Sequence, residues 1–246
     1  MSFSSKEISA LLSETGYTAD VAAFSCTTST NDIARSLVKK TNFPVIVVAD
    51  QQTKGKGSHG RTFFSPGDTG FYMTFSVPEA DPAVQMTLAA GVASVQAIYE
   101  VYCRKVGIKW INDLIYDGGK VSGILCERMS DGTVLVGIGI NIMMPKEGFP
   151  SDIADTASVL GADPRRVNRL AVSIYTHFMD LIEHRDRILP MYRENCITLG
   201  KKIRFTYEGE EQYGLASAVD EDGSLIIVQD GISRKFSSGE ISVRAI

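Results

Sequence analysis

Between Gln51 and Gly67 the chain carries two lysines, an arginine and a histidine, and no acidic side chain. The centre of this stretch reads Gln52-Thr53-Lys54-Gly55-Lys56-Gly57-Ser58-His59-Gly60-Arg61, and Ser65-Pro66-Gly67 closes it. Glycine lets a backbone approach a ligand closely. Backbone N–H groups that converge with cations form a seat for a phosphate or a reactive anion. The implied chemistry is a loop that folds over a small anionic molecule; from the loop alone, a ligand-free basic surface segment is an equal competitor. Gly55-x-Gly57-x-x-Gly60 follows the apolar run Val45-Ile46-Val47-Val48 and so imitates a dinucleotide fingerprint. That fingerprint needs a helix to begin inside the motif. Here the chain runs on into Phe71-Tyr72-Met73-Thr74-Phe75, which reads as a strand, so the dinucleotide reading fails. No Gly-Lys-Ser or Gly-Lys-Thr occurs, which excludes a Walker-type phosphate loop.

Further along stand Lys109-Trp110-Ile111-Asn112-Asp113 and Lys120-Val121-Ser122-Gly123-Ile124-Leu125. Lys109 lies in an apolar run from Val106 to Ile111, where a lysine is costly to bury unless its ammonium meets an anion. The alternative is a lysine that snorkels to water from a strand edge. Asn141 interrupts the apolar strand Val134 to Ile142, either as a core asparagine bonded to backbone or as a functional group. Ser29-Thr30-Asn31-Asp32 reads as a helix start, where a hydroxyl or amide caps free N–H groups. Such a terminus is also a donor-rich platform for a ligand.

In order along the chain, Ser29-Thr30-Asn31, Gln52 before the glycine-rich basic loop, Ser65-Pro66-x, Lys109-Trp110-x-Asn112-Asp113, Lys120-x-x-Gly123-Ile124-Leu125 and Gly137-x-Gly139-Ile140-Asn141 resemble the motifs of the biotin protein ligase family. A C-terminal segment from Leu199-Gly200-Lys201-Lys202 to Gly239-Glu240-Ile241-Ser242-Val243-Arg244 also matches, so the resemblance covers nearly the whole chain. The chain departs from the family at Lys54 or Lys56, Ser58 and His59, where arginines are common, at Ile111 in place of proline, and at Phe63, near the usual place of a tryptophan. Lysine at 56 keeps the charge and loses the planar fork of arginine.

The resemblance implies a two-step reaction. Biotin's carboxylate attacks the α-phosphorus of ATP to give biotinyl-5′-AMP and pyrophosphate; a lysine of an acceptor protein then attacks the activated carbonyl and AMP leaves. The anions repel, so catalysis rests on neutralising charge and holding groups in line. By resemblance Lys109 is the catalytic residue, acting electrostatically, and Lys120 is a second candidate near phosphate. Ser29, Thr30, Asn31, Gln52, Gly55, Lys56, Gly57, Arg61, Trp110, Lys120 and Gly123 are implied to hold biotin or the adenylate. Phe63, Asn141 and Arg244 are implied on the ATP side. Mg2+ is the implied cofactor, entering with the ATP phosphates and with Asn141 as a candidate neighbour; biotin is a substrate. The acceptor implied is the biotin carboxyl carrier domain of a carboxylase. Monomer and homodimer both stay open, since some relatives dimerise by extending the sheet. Lipoate ligase shares the chemistry, but its Arg-Arg-x-x-Gly-Gly-Gly-type segment is missing here. A non-catalytic biotin or adenylate sensor is the rival that Ser58 and His59 keep open.

The implied fold is α+β: a mixed β-sheet backed by helices, like class II aminoacyl-tRNA synthetases, with a small SH3-like C-terminal β-barrel. The pattern agrees. Helices are expected at about 5–16, 29–40, 82–104 (with Pro82 at its start), 165–184 and 188–196. Strands are expected at about 43–49, 70–77, 106–111, 113–117, 120–127 and 133–142, with Asp117-Gly118-Gly119 as a hairpin turn. After residue 198 the pattern changes to short alternating strands with tight turns at Asp220-Glu221-Asp222-Gly223 and Asp230-Gly231. This predicts a catalytic domain over 1–197 and a β domain over 198–246. The expected behaviour of residues 52–65 is mobility without ligand and order over the intermediate, because acyl-adenylates must be kept from water.

With 246 residues, 44% hydrophobic and 22% charged, the composition is that of a soluble globular protein. A net charge of −4 argues against bulk nucleic-acid binding. No apolar run approaches the ~20 residues of a membrane span, and no signal peptide is read at the start. Only about 18 residues precede the catalytic region, so a helix-turn-helix repressor domain is not expected. Four scattered cysteines without a Cys-x-x-Cys pattern suggest reduced thiols and a cytoplasmic setting. His177 and His184, seven apart on a probable helix face, read as surface residues rather than metal ligands.

Overall fold

The computed structural model describes residues 2–41, 44–78 and 83–245, with the backbone alone at 59, 83, 84, 242, 244 and 245. The expected helix start at Pro82 lies outside the described residues. The order of elements is α1 (Ser5–Ser13), β1 (Asp20–Phe24), α2 (Thr30–Val38), β2 (Val45–Ala49), β3 (Gly70–Val77), α3 (Ala83–Tyr102), β4 (Gly107–Lys109), β5 (Asp113–Tyr116), β6 (Gly119–Arg128), β7 (Val134–Asn141), α4 (Val167–Glu183), α5 (Ile188–Asn195) and the C-terminal strands β8 (Lys202–Tyr207), β9 (Glu210–Val219), β10 (Leu225–Gln229), β11 (Ile232–Phe236) and β12 (Ser242–Ala245).

The first seven strands form one mixed sheet in the order β1-β2-β3-β7-β6-β5-β4. β1 was not expected from the pattern. Its Asp-Val-Ala-Ala-Phe has little alternation to read, and it is a strand because it runs parallel to β2, with Asp20 opposite Val45 and Phe24 opposite Ala49. The remaining pairs are antiparallel. Asp117 and Gly118 both take positive φ, 50° and 77°. That is the backbone of a two-residue hairpin turn, and it explains why the β5–β6 connection was legible. The strand expected over 106–111 ends at Lys109, because residues 110–112 turn the chain into β5.

The two faces of the sheet are covered differently. On one, α3 and α4 pack over a continuous core that includes Met73, Phe75, Val136, Ile138 and Ile140. Phe75 stacks edge-on against Tyr175 and Phe178 of α4, with ring centroids 5.4 Å and 4.8 Å away. On the other, α2 contributes Ala34 to a small cluster with Val45, Val47, Met129 and Leu135. α2 begins over Gly137, where a Cβ would collide with Asn31 Oδ1. Gly139 and Asn141, two and four residues on, therefore lie beyond its N-terminus.

The small sheet has the order β11-β10-β9-β8-β12. Its Ile203, Phe205, Leu225, Ile227 and Phe236 belong to the same apolar core as the large sheet. The junction is also hydrogen-bonded. The Trp110 indole N–H donates to Gly223 O at 2.9 Å, the Trp110 backbone N–H to Thr198 Oγ1 at 2.9 Å, and Arg193 Nε to Val219 O at 2.8 Å. Among the described residues no helix is long and apolar enough to cross a membrane.

Candidate active site

One row of residues crosses all seven strands in register: Phe24, Ala49, Tyr72, Gly139, Gly123, Asp113 and Lys109. Paired residues in neighbouring strands point to the same face, and this row lies on the face where α2 sits. Its two central members are glycines, which make a floor open to backbone approach. The ring of Phe63 lies on that floor. A Cβ at Gly139 would stand 2.5 Å from Phe63 Cε1, and one at Gly123 would stand 3.2 Å from Cε2. Tyr72 meets Phe63 edge-on at 6.4 Å and donates its hydroxyl to Pro66 O at 3.1 Å. Burial raises the Tyr72 phenol well above its ordinary value, so it stays neutral.

Lys120 reaches the same floor. Its Nζ lies 3.3 Å from where a Gly123 Cβ would be and 2.6 Å from Asp113 Oδ1. Lys109 shares the face but stands on β4, at the end of the strand order, opposite Asp113. The two lysines thus flank one carboxylate, with Lys120 nearer the centre.

The second half of the site is a buried polar chain where α2 begins. Ser29, Thr30 and Asn31 are 1%, 3% and 4% exposed. Ser29 occupies the cap position, but its side chain makes no capping bond. This corrects the expectation that its hydroxyl caps the helix. Gln52 does so instead, with Oε1 accepting the Thr30 N–H at 2.8 Å and lying 3.1 Å from the Thr30 hydroxyl. Gln52 Nε2 donates to Ser65 Oγ at 3.0 Å, and that hydroxyl donates to Phe63 O at 2.8 Å. Gly55 is required here, since a Cβ would run into Ser65 Oγ, 2.5 Å away, and into the Phe63 carbonyl. Inward, Thr74 Oγ1 lies 2.8 Å from the Thr30 hydroxyl and 2.6 Å from Asn31 Oδ1, and Asn31 Nδ2 donates to Glu127 Oε2 at 2.7 Å.

The glycine-rich loop is anchored on both sides. Thr53 and Lys54 donate backbone N–H groups to Thr27 O and Thr28 O at 2.9 Å and 2.8 Å, so the loop leaves β2 alongside the start of α2. Lys56 pairs with Asp32 at 2.5 Å. Ser58 Oγ accepts from Asn112 Nδ2 at 2.9 Å, which ties the loop to the β4–β5 turn. Gly57 packs on the Arg61 carbonyl, and Arg61 is exposed. At the loop entrance, burial and then Asp68 push the Asp50 carboxyl above its ordinary value.

The structure therefore gathers Ser29, Thr30, Asn31, Gln52, Gly55, Lys56, Gly57, Phe63, Lys120 and Gly123 along one face and its covering loop, with Lys109 at its rim. Asn141 follows Gly139 on that face and donates its Nδ2 to Ser158 O at 3.1 Å. Two further predicted residues stand at the small sheet. The Trp110 indole is turned into the junction with the small sheet, and Arg244 is on β12 opposite Arg204. Sequence reasoning missed Thr74, Asp113, Asn112 and Glu127 as members of the site. The available signal was Thr74, a hydroxyl inside the otherwise apolar run Phe71 to Phe75.

Two family models match the chain: the biotin/lipoate A/B protein ligase family over residues 23–143, and the biotin protein ligase C-terminal domain over 198–244. A biotin–[acetyl-CoA-carboxylase] ligase of Mycobacterium tuberculosis is 29% identical over 234 residues, covering 90% of this chain and 87% of that protein. A bifunctional ligase/repressor of Bacillus spizizenii is 30% identical over 211 residues, covering 78% of this chain; the chain spans 64% of that relative's length. Among solved structures, a biotin protein ligase from Aquifex aeolicus in complex with biotin and ATP superposes with a TM-score of 0.78 at 26% identity, covering 92% of this chain and 99% of that one. One from Leishmania major in complex with biotinyl-5-AMP has a TM-score of 0.63 at 25% identity, covering 90% of this chain and all of that one.

Proposed function

We propose, for a chain that belongs to the biotin protein ligase family, that it activates biotin as biotinyl-5′-AMP at the glycine floor and transfers the biotinyl group to a lysine of an acceptor carrier domain. The observation that carries the reading is the convergence of Lys120, Gly123 and Gly139 with the Thr30–Gln52 corner beneath one basic loop. Relatives of this chain are named biotin–[acetyl-CoA-carboxylase] ligase, which makes a carboxylase carrier domain the acceptor of choice.

The residues divide the work by their chemistry. The Gln52 amide and the Thr30 hydroxyl offer both donor and acceptor groups, as a cyclic urea needs. The glycines let the bicyclic ring lie against backbone, and Phe63 supplies an apolar cover. Biotin's carboxylate oxygen attacks the α-phosphorus and pyrophosphate leaves with the P–O bond electrons. A cation held at the meeting point of carboxylate and phosphate lowers that barrier electrostatically. Lys109, the residue that the resemblance names as catalytic, stands on this face opposite Asp113, and Lys120 lies against the floor with its ammonium on Asp113; these two lysines are the cations for that role. In the second step the acceptor's neutral amine attacks the acyl carbonyl and the C–O bond to AMP breaks. Lys54, Lys56 and Arg61 stand on the covering loop, where their charges favour retention of the anionic adenylate. Asn141 fits a magnesium ion carried on the nucleotide phosphates, since Ser158 takes its amide NH2 and leaves Oδ1 as a ligand atom. Magnesium there would supply charge neutralisation of the phosphates.

The test is pyrophosphate release from Mg-ATP with biotin, with lipoate and with neither, for the native protein and for Lys120→Ala and Lys109→Ala. Biotin-dependent release that collapses in Lys109→Ala and falls in Lys120→Ala is the expected result. Tight biotin binding without release would turn the reading into a sensor, and release with lipoate alone would replace the substrate.

A further inference from the structure

The basic loop has a base and a tip, and they are held by different contacts. The base is bound to the start of α2, through the Thr53 and Lys54 N–H groups on Thr27 O and Thr28 O and through Lys56 on Asp32. The tip, residues 57–61, closes on itself round a single 3-10 turn over Ser58–Gly60. There the Gly57 N–H donates to Arg61 O at 2.8 Å and the Arg61 N–H to Ser58 O at 3.3 Å. The proposed chemistry uses the charges of this loop and gives Ser58, at its tip, no task.

Ser58 Oγ accepts from Asn112 Nδ2 at 2.9 Å, across 54 positions of chain. Asn112 is a firm anchor. Its backbone carbonyl accepts the Ile124 N–H at 2.9 Å, and its Nδ2 also donates to Ile124 O at 2.8 Å. The second bond fixes the amide, since a carbonyl accepts only and a turned-over Asn112 would set oxygen against oxygen. The remaining Nδ2 proton points at the loop tip, and the group that meets it must accept. A hydroxyl does so; an ammonium or guanidinium at position 58, a donor only, would not. The residue after Asn112 is Asp113, which pairs opposite Lys109 and holds Lys120 Nζ. The tip is therefore fastened beside both site lysines, while Phe63 on the returning limb lies over Gly139 and Gly123.

We propose that Ser58 and Asn112 form an uncharged latch that holds the loop closed over the site before any ligand arrives, so that biotin enters and leaves only when this hydrogen bond breaks. Ser58 is then a positioning residue, which acts through the loop and not on the reacting atoms. The gating of biotin rests on the proposed binding of biotin at this site; the latch itself does not. The expectation of a loop that is mobile until a ligand orders it gives way to a loop ordered beforehand that opens to admit one. A hydrogen bond of ordinary net strength shifts such a closed-to-open equilibrium about fivefold. Entry that needs opening slows in proportion to the open population. The same bond closes the empty and the occupied site, so its loss speeds entry and exit alike and leaves the Kd in place.

Limited trypsin digestion of the ligand-free full chain reads the latch directly, since cleavage after Arg61 tracks the open population. Ser58→Ala is expected to raise the rate of that cut about fivefold, with cuts outside residues 52–65 unchanged. Asn112→Ala is expected to raise it at least as much, and Ser58→Ala added to Asn112→Ala to raise it no further. Ser58→Thr, which keeps the acceptor, is expected to stay within about twofold of wild type. Association and dissociation of labelled biotin then read the gate. Both rates are expected to rise about fivefold in Ser58→Ala, with the Kd within about twofold of wild type. A Ser58→Ala loop cut no faster than that of wild type, or effects that add in the double variant, would overturn the latch. A Kd that rises while the association rate stays the same would overturn the gate, in favour of a direct contact between Ser58 and bound biotin. Failure of the wild type to bind biotin would overturn the functional reading and the gate with it, and the cleavage rates would still decide the latch.

Discussion

The two faces of the seven-stranded sheet come from the same strands, residue by alternate residue, and are built to opposite ends. Toward α3 and α4 they present Met73, Phe75, Val136, Ile138 and Ile140, large side chains in an apolar core. Toward α2 they present Tyr72, Thr74, Gly137, Gly139 and Asn141, where volume is withheld and polar groups are buried in hydrogen-bonded chains. The first face holds the second still. A glycine floor has no packing of its own, so its position is set by neighbours on the same strands that point the other way. Stability and recognition should therefore separate cleanly by side-chain parity along β3 and β7.

The sharpest way to break that separation is to cut the packed face. Phe75→Ala removes a fully buried ring from its contacts with Tyr175 and Phe178 and is expected to cost about 3–5 kcal/mol of stability. Chemical denaturation measures the loss, and the biotin Kd of the protein that remains folded should match wild type. A folded Phe75→Ala protein that no longer binds would mean that the faces are not independent. Lys120→Ala attacks the open face. Removing a preorganised charge of this kind typically costs on the order of 10²–10³ in rate, and the expected result is a fall of that size in biotin-dependent pyrophosphate release, with Tm nearly unchanged. Lys109→Ala, at the residue that the resemblance names as catalytic, is expected to fall at least as far; a fall in only one of the two variants would assign the charge to that lysine alone. Gly139→Val is smaller in effect. Its side chain would occupy the place of the Phe63 ring, and overpacking of about 1–3 kcal/mol is expected to emerge as weaker biotin binding and faster tryptic cleavage at Arg61 rather than as unfolding.

The sequence motifs located this open face well because each is a short run with both its residues and its strand in view: Lys120 to Gly123 on β6, Gly137 to Asn141 on β7, and Gln52 at the loop. What they could not reveal was direction. Lys109 and Lys120 stand eleven positions apart in the chain, and only the pairing brings both to Asp113, Lys109 as its partner across β4 and β5 and Lys120 through its ammonium. Trp110, implied by resemblance to hold biotin or the adenylate, also ties the two sheets together through its indole N–H on Gly223 O, a contact 113 positions away in the chain. Ser29 has the right type for a cap, yet a residue 23 positions later takes the role, because Gln52 is carried beside α2 by the parallel pairing of β1 with β2. Glu127 escaped for the same reason: its meaning depends on Asn31, 96 positions away in the chain. Local chemistry is legible from neighbours in sequence, and relays between elements are not.

The smallest predicted effect lies on the packed face and checks that its polar groups serve stability alone. Glu100 of α3 accepts from Ser173 Oγ at 2.8 Å and meets His177 Nε2 at 2.9 Å, both on α4. Burial pushes its carboxyl up, but the Ser173 and His177 bonds, with Arg169 nearby, outweigh it and hold the group below its ordinary value of 4.5. A carboxyl depressed in the folded state binds its proton more readily when unfolded. Its contribution is therefore present in full above about pH 4.5 and is lost as the pH falls through the lower folded value. The group is partly exposed and solvent-screened, so the contribution is small, no more than about 2–4 °C in Tm. Glu100→Gln should accordingly melt below wild type at pH 6, with the gap closing as the pH falls below the ordinary carboxyl value, while biotin affinity at pH 7 stays the same in both. A gap in Tm that persists unchanged into acid would assign Glu100 to packing rather than charge. A change in biotin affinity would mean that the helical layer reaches through the sheet to the glycine floor, against the parity rule that β3 and β7 otherwise obey.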